Sequence, residues 1–326
     1  MTLDSKPHRT LVALFCLGLA ACGGGGSAAD SPPAASTTPA AATASSSTNA
    51  CAAIQPFYWE IGNSTEKVES GSVGAAPPTA NTPMSIASAS KWLYSTYVVQ
   101  RRGGASNLSA ADIKFLNFRS GYTNFDTLAG CPNDGTIDDC LAYKDNGLYT
   151  AATDGSFDYG GGHMQKHASQ EMGLGALNNA TLAAELQSQI GNFGFIYTQP
   201  QLAGGVSTTA DSYAGFLRKL LSGDLAMKAA LGSHPVCTNP TTCSAAIFAP
   251  IPNSESWHYS VGHWVEDDPV VGDGAFSSPG AFGFYPWIDS SRSYYGIVAR
   301  AVAQGAFSSV QCGRLIRKAW LTGVPQ

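Results

Sequence analysis

Apolar and polar positions repeat with two different periods along this chain, and the two periods occupy different regions. Phe57-Tyr58-Trp59-Glu60-Ile61-Gly62, a polar turn, and Lys67-Val68-Glu69-Ser70-Gly71-Ser72-Val73-Gly74 read as two strands of a hairpin-like pair. Helical spacing takes over after them. Residues 88–102 read as a helix closed by Gly103-Gly104, Ser109-Ala110-Ala111-Asp112 reads as a helix start, and 181–192 and 208–222 are amphipathic helix candidates. The stretch 105–180 is otherwise rich in loops. Strand patterns return at 256–265, 281–288 and 294–299, with Asp289-Ser290-Ser291-Arg292-Ser293 as the turn between the last two. A final helix covers roughly 306–321.

Strands at both ends and helices between them predict an α+β fold. One antiparallel sheet would be assembled from both termini, about 51–85 and 250–326, with a mostly helical region of about 86–249 inserted and helices flanking the sheet. Residues 51–326 are long enough for one large domain.

The first fifty residues read differently. Lys6, His8 and Arg9 precede the apolar run 11–19 and then Ala20-Ala21-Cys22, so residues 1–22 read as an export signal too short to span a membrane. Leu19-Ala20-Ala21-Cys22-Gly23 resembles a bacterial lipobox, which implies cleavage before Cys22 and lipid attachment there. The alternative is an ordinary secretory signal that ends in cysteine. Residues 23–50 are Gly, Ala, Ser, Thr and Pro with almost no large apolar side chain and read as a disordered tether. The expectation is an exported protein whose membrane partner is reached through the anchor at Cys22, on the periplasmic or surface side of the outer membrane.

Composition narrows the partners. Eighteen Lys and Arg stand against 23 Asp and Glu, for a net charge of −5, and no basic stripe exists, so nucleic acid is not an expected partner. Of eight cysteines, Cys16 would leave with the signal and Cys22 would be lipidated. The remaining six suggest disulfides in an exported protein. Cys131 with Cys140 and Cys237 with Cys243 would close short polar loops, which leaves Cys51 for Cys312. Sequence leaves the other fourteen connectivities open. A zinc site is the competing reading, and the spacings lack C-x-x-C pairs.

The candidate chemistry starts at Ser88-Ala89-Ser90-Lys91, an S-x-x-K arrangement leading into the helix at 88–102. Positions i and i+3 share a helix face, so Lys91 can reach the Ser88 hydroxyl. The helix N-terminus supplies free N–H groups and a positive field. A serine becoming a nucleophile needs both a basic partner and such a field. The bland reading is a capped helix start with a solvated lysine. Two other patterns carry weaker chemistry. His163, His167 and Glu171 could share a face and bind metal, although solvated or hydrogen-bonded histidines fit as well, and no metal is expected. His258-Tyr259-Ser260-Val261-Gly262 has an elbow-like spacing, but the bulky His258 opposes a tight strand-to-helix turn. Trp257, Trp264, Tyr285 and Trp287 read as core.

Five segments in order resemble the serine β-lactamase and penicillin-recognising superfamily, in its class C-like branch with family VIII carboxylesterases and D-aminopeptidases. They are 86–91 around the S-x-x-K, 116–122, 157–163, 204–217 and 277–283. The resemblance implies a β-lactamase/D,D-peptidase-like fold, no cofactor and an acyl-enzyme on Ser88. Lys91 would accept the serine proton or hold charge near it. Tyr159 would be partner base or relay, its phenolate favoured by Lys91. The backbone N–H groups of Ser88 and Ala281 would form the oxyanion hole, and Gly161, Ser278 and Gly280 would line the substrate. Two positions depart from the pattern. Gly161 stands where Asn is usual, and Ser278 stands where Lys or His is usual, so the clamp for a substrate carboxylate is missing. The resemblance therefore implies a small neutral ester or amide substrate over a β-lactam. A β-lactamase or D,D-peptidase, and a non-catalytic ligand-binding relative, are the alternatives.

Overall fold

The computed structural model describes residues 37–126 and 131–326. The signal, Cys16 and Cys22 lie outside the described residues. Along the chain, α1 (Pro39–Ala44) is followed by β1 (Phe57–Gly62) and β2 (Lys67–Val73). A short β3 (Met84–Ser85) leads through a 3-10 turn, Ala87–Ala89, into α2 (Ser90–Arg101). The middle of the chain holds α3 (Ala110–Leu116), α4 (Ile137–Ala142), β4 (Phe157–Asp158), α5 (Gly162–Gln170) and α6 (Asn179–Ile190). After these come β5 (Ile196–Tyr197), β6 (Val206–Thr208), α7 (Ala210–Ser222), α8 (Met227–Ala230), β7 (Val236–Cys237) and β8 (Ala246–Phe248). The last part runs β9 (His258–Ser260), β10 (His263–Glu266), β11 (Ala275–Ser277), β12 (Tyr285–Ile288), β13 (Tyr295–Ala299) and α9 (Ala306–Thr322).

The main sheet has eight strands in the order β2-β1-β13-β12-β11-β10-β9-β7, with β1 antiparallel to β13. Tyr58 faces Ala299 and Gly62 faces Tyr295, so the two ends of the chain meet in the sheet as expected. β1 and β13 are buried along their whole length, which requires cover on both faces. Tyr295 points to α7, where Arg218 donates to its hydroxyl at 2.8 Å, and that hydroxyl donates to Glu60 at 2.9 Å. Tyr285 serves the opposite face. Its hydroxyl donates to Glu266 at 2.7 Å and accepts from Arg317 of α9 at 2.8 Å. Glu266 also pairs with Arg314 and Arg317, and Arg317 with Asp273, so α9 is fastened to the sheet by a largely buried ion network. Burial opposes the charge on Glu266, but the two arginines outweigh it and hold its carboxyl below the usual range.

The three disulfides pair as expected: Cys51–Cys312, Cys131–Cys140 and Cys237–Cys243. The first ties the start of the domain to α9. Among the described residues no helix is long and apolar enough to cross a membrane.

Three local expectations are corrected. The tether does not extend to residue 50, because 39–44 form α1. Thr38 caps it, Pro39 opens it, and Ala40 and Ala44 are buried against α9. Alanine is small enough for that close contact, and an alanine-rich segment does not declare itself by hydrophobicity. The stretch 256–265 is a hairpin rather than one strand. Val261 and Gly262 both take positive φ, 36° and 79°, as a two-residue turn requires. Their N–H groups are anchored by Asn117 Oδ1 at 2.6 Å and Leu116 O at 3.0 Å. Finally, 281–284 form a turn and only 285–288 a strand, with Gly283 N–H donating to Gly280 O at 2.9 Å. The expected helices at 88–102, 181–192, 208–222 and 306–321 are present within two residues at each end.

Candidate active site

Ser88 sits in the 3-10 turn that opens α2, and its backbone is held from three sides. Ile86 N–H donates to Val206 O at 3.0 Å, the Tyr213 hydroxyl donates to Ala89 O at 2.9 Å, and the Ser278 hydroxyl donates to Ser88 O at 3.0 Å. The preceding Ala87 has φ of 44°, a left-handed conformation that costs energy for a residue with a Cβ. That kink turns Ser88 outward, where it is half-buried. The Ser88 and Ala281 N–H groups have no hydrogen-bond partner among the described residues.

Lys91 lies one turn further along α2. Its Nζ is 2.8 Å from Ser88 Oγ and 2.8 Å from Ala203 O. The residue is 5 % exposed and takes part in no ion pair among the described residues. Burial pushes its ammonium down to about 7. Ala203 directly precedes the 204–217 segment. That segment forms β6 against β3 and then α7, capped by Thr209 accepting from Ser212 N–H at 3.1 Å.

Tyr159 completes the group. Its ring lies 4.7 Å from Lys91 Nζ and is enclosed by Phe118, Tyr259 and Trp264 at 5.2–5.8 Å. Burial pushes its phenol up to about 12, although hydrogen bonds with Ser88 and Trp264 work the other way. The expectation of a phenolate favoured by Lys91 is therefore corrected. The neutral partners are Tyr159 as phenol and, above about pH 7, Lys91 as amine.

The loop bearing Tyr159 is fixed by His163. Its Nδ1 is 2.7 Å from Ser120 Oγ and accepts from Ser120 N–H at 3.3 Å, while Nε2 faces Asp158 O at 3.1 Å. This pattern places the proton on Nε2. Burial lowers His163 to about 4, so it stays neutral. His167 instead bonds Asp112 at 2.9 Å and Tyr94 at 2.7 Å. The two histidines serve separate polar networks, and no metal-holding group occurs among the described residues. Ser260 bonds Ser233 O within the β9–β10 hairpin, which is not a strand-to-helix elbow.

The lining of the cavity over Ser88 explains the departures. It measures ≈ 530 Å³, within the usual range for a small-molecule site, and Ser88, Lys91, Tyr159, Gly161 and Ala281 all line it. A Cβ on Gly161 would lie 2.8 Å from the Phe125 ring, so Phe125 fills the space an asparagine side chain would need. Ser278 is buried and spent on the Ser88 carbonyl, and Gly280 packs its backbone against Ile86; neither lines the cavity. Phe125, Phe248 and Phe282 form an apolar rim. The turn bearing Ala281 is braced from behind: Gly305 N–H donates to Ala281 O at 2.7 Å, and buried Arg300 donates to Gly305 O at 3.0 Å. Sequence reasoning did not single out Phe125, His163 as a loop brace, or Arg300. Phe125 and Arg300 carry no local motif, whereas His163 stood inside the 157–163 segment.

No family model and no curated protein matches the chain by sequence. Solved structures do match. A candidate beta-lactamase from Bacteroides dorei DSM 17855 is similar at TM-score 0.57 and 21 % identity, over 82 % of this chain and 92 % of that one. D-amino acid amidase from Ochrobactrum anthropi SV3 is similar at TM-score 0.56 and 12 % identity, over 82 % and 94 %. Simvastatin synthase from Aspergillus terreus is similar at TM-score 0.54 and 14 % identity, over 80 % and 92 %. The chain has the fold of the serine β-lactamases and penicillin-binding proteins.

Proposed function

We propose that this protein is a serine hydrolase that works through an acyl-enzyme on Ser88, with carboxylic esters or small amides lacking a carboxylate as substrates. The observation that carries the reading is the 2.8 Å contact between Ser88 Oγ and a buried Lys91 whose ammonium is lowered to about 7. Neutral Lys91 takes the Ser88 proton as Oγ attacks the carbonyl carbon. The carbonyl oxygen becomes an oxyanion held by the Ser88 and Ala281 N–H groups. Lys91 then returns the proton, through the Tyr159 hydroxyl, to the leaving oxygen or nitrogen as the bond to carbon breaks. Water repeats the sequence in reverse roles and frees Ser88. The lining supports the substrate class: Lys91 is its one cation, and the rim is aromatic.

The test is incubation with a fluorophosphonate, a labelled penicillin and short-chain nitrophenyl esters, with adducts mapped by mass spectrometry. Labelling of Ser88 with ester turnover is expected, and both vanish in Ser88→Ala. Trapping or hydrolysis of the penicillin in preference to the esters moves the assignment to a β-lactamase or D,D-peptidase. No adduct and unaltered behaviour of Ser88→Ala overturns an enzymatic role. The membrane assignment is a separate proposal resting on Leu19-Ala20-Ala21-Cys22; Cys22→Ala is expected to shift the protein into the soluble fraction, and unchanged membrane association refutes it.

A further inference from the structure

Of the three disulfides among the described residues, Cys237–Cys243 alone reaches the surface. Cys51 with Cys312, and Cys131 with Cys140, are buried at both ends, whereas Cys237 is exposed and Cys243 half-buried. Both cysteines line a surface cavity of ≈ 450 Å³, together with Thr238, Thr242 and Ser244. That cavity shares no lining residue with the one over Ser88. Thiol–disulfide exchange depends on a thiolate reaching a sulfur, and only this pair offers that access.

The loop closed by the bond is fastened unequally. Its first half is fixed without the bond. Cys237 belongs to β7 and pairs with His258 of β9, Thr238 Oγ1 donates to Trp257 O at 2.6 Å, and Asn239 Nδ2 donates to Asn253 O at 2.9 Å. Beyond Cys243 the chain is held lightly. Residues 244–250 make no side-chain hydrogen bond among the described residues, and Ala246 is the one buried residue in that stretch. Yet this stretch holds the Tyr159 loop. β8 and β4 form a two-stranded sheet of their own, with Phe157 facing Ala246 and Asp158 facing Phe248. Phe157 N–H donates to Ala245 O at 2.7 Å, and Tyr159 N–H donates to Phe248 O at 3.0 Å. Phe248 also belongs to the rim over Ser88. So short a pair of strands is marginal by itself. The disulfide ties it to β7, the edge strand of the main sheet.

We propose that Cys237–Cys243 is a redox modification site that gates turnover at Ser88: reduction by a dithiol frees β8, loosens the Tyr159 backbone and slows the reaction, and a disulfide oxidant restores it. The effect on rate rests on the acyl-transfer reading; the effect on the chain does not. In the exchange, a thiolate of the dithiol attacks one cysteine sulfur and forms a mixed disulfide. The bond between the two cysteines breaks, and the other leaves as a thiolate that takes a proton from water. The second thiol of the reagent then gives up its proton and displaces the first cysteine, which is protonated in turn. Two electrons have passed from the dithiol, now a disulfide, to the cysteine pair. Asp158 N–H still donates to Phe118 O at 3.0 Å, so the Tyr159 loop shifts rather than unfolds.

Graded dithiothreitol on the native protein, alkylation with iodoacetamide and mass spectrometry read which bond opens. Cys237 and Cys243 are expected to be alkylated at a concentration that leaves the other two pairs intact. At that concentration kcat/KM for 4-nitrophenyl butanoate is expected to fall about tenfold to a hundredfold, the range for a catalytic group displaced by about 1 Å, and to return with glutathione disulfide. Hydrogen exchange at the Phe157 and Tyr159 amides is expected to quicken about tenfold or more while β1 and β13 stay protected. The double variant Cys237→Ser, Cys243→Ser is expected to show the low rate with or without dithiothreitol. All three bonds opening together, or full activity after this one has opened, overturns the gate. Fluorophosphonate labelling of Ser88 separates the two layers. Quickened exchange in a protein whose Ser88 is never labelled keeps the modification site and removes the acyl-transfer reading; unchanged exchange overturns the site whether or not Ser88 is labelled.

Discussion

On the proposed acyl-transfer reading the titration of Lys91 sets the rate, and its burial also enters the stability, so the two can be measured separately. Burial lowers Lys91 from 10.5 to about 7, which corresponds to about 5 kcal/mol against the ammonium inside the fold. If the neutral amine takes the Ser88 proton, activity rises with pH along a single limb. A base with a midpoint of about 7 is neutral in about one molecule in ten at pH 6 and about nine in ten at pH 8. The expected result is a kcat/KM for 4-nitrophenyl butanoate about tenfold higher at pH 8 than at pH 6. Stability follows with a definite sign. The unfolded chain keeps the proton on Lys91 up to about pH 10.5, whereas the folded chain releases it near 7. Between those values the unfolded state binds more protons, so this residue's contribution to stability rises with pH across that window. Lys91→Met removes the ionisable group. It is expected to abolish turnover, to be more stable than the parent at pH 6 by a few kcal/mol, and to lose most of that advantage by pH 10. Urea unfolding of both proteins at pH 6, 8 and 9.5 reads the difference. An activity limb centred near 10, or a stability difference that stays flat with pH, refutes the assignment of Lys91 as base.

Three further perturbations address the frame around the site. Replacing Cys51 and Cys312 together with serine opens a crosslink spanning 261 residues and is expected to cost about 2–5 kcal/mol in denaturant unfolding. Arg300→Ala removes the brace behind the Ala281 turn, 3.0 Å from Gly305 O; kcat is expected to fall about tenfold or more with KM nearly unchanged, measured by steady-state kinetics on the butanoate ester. Gly161→Asn forces a Cβ to within 2.8 Å of Phe125 and is expected to destabilise by about 1–3 kcal/mol. Adding Phe125→Ala should recover part of that loss in a double-mutant cycle read by thermal unfolding.

What the sequence announced and what it hid divide along physical lines. The Ser88–Lys91 pair was legible because three-residue spacing on a helix is a local property, and the structure puts the two atoms 2.8 Å apart. That one sheet draws on both ends of the chain was legible because strand patterns stand at 57–74 and again at 256–299 with helical spacing between them, and β1 pairs with β13 accordingly. The Val261-Gly262 turn was hidden, since neither residue except the glycine advertises positive φ and the neighbouring tryptophans read as one strand. α1 was hidden because alanine, serine and threonine suit a tether as well as a tightly docked helix. Phe125 and Arg300 were hidden for another reason: each acts on a residue far from it in sequence, Gly161 and the Ala281 turn, and no spacing rule reaches that far.

The division of work between Lys91 and Tyr159 shows why proximity alone gave the wrong partner charges. Placing a lysine next to a tyrosine suggests a charge pair, with the ammonium drawing the phenol toward phenolate. That inference holds where water stabilises both ions. Here the Tyr159 ring is packed among Phe118, Tyr259 and Trp264, and Lys91 is enclosed without a carboxylate. Burial then acts on both groups in the direction of neutrality, lowering the lysine and raising the tyrosine. A neutral amine beside a neutral phenol is still a proton-transfer system, because the amine accepts and the phenol both accepts and donates. It differs in its trigger. A phenolate base would require pH above about 12, whereas an amine with a midpoint of about 7 is ready near neutrality. Among the described residues no carboxylate pairs with Lys91, and that makes this possible: an acid there would restore the ammonium and silence the base. Asp158 meets that condition by lying in the cavity over Ser88 without pairing to Lys91.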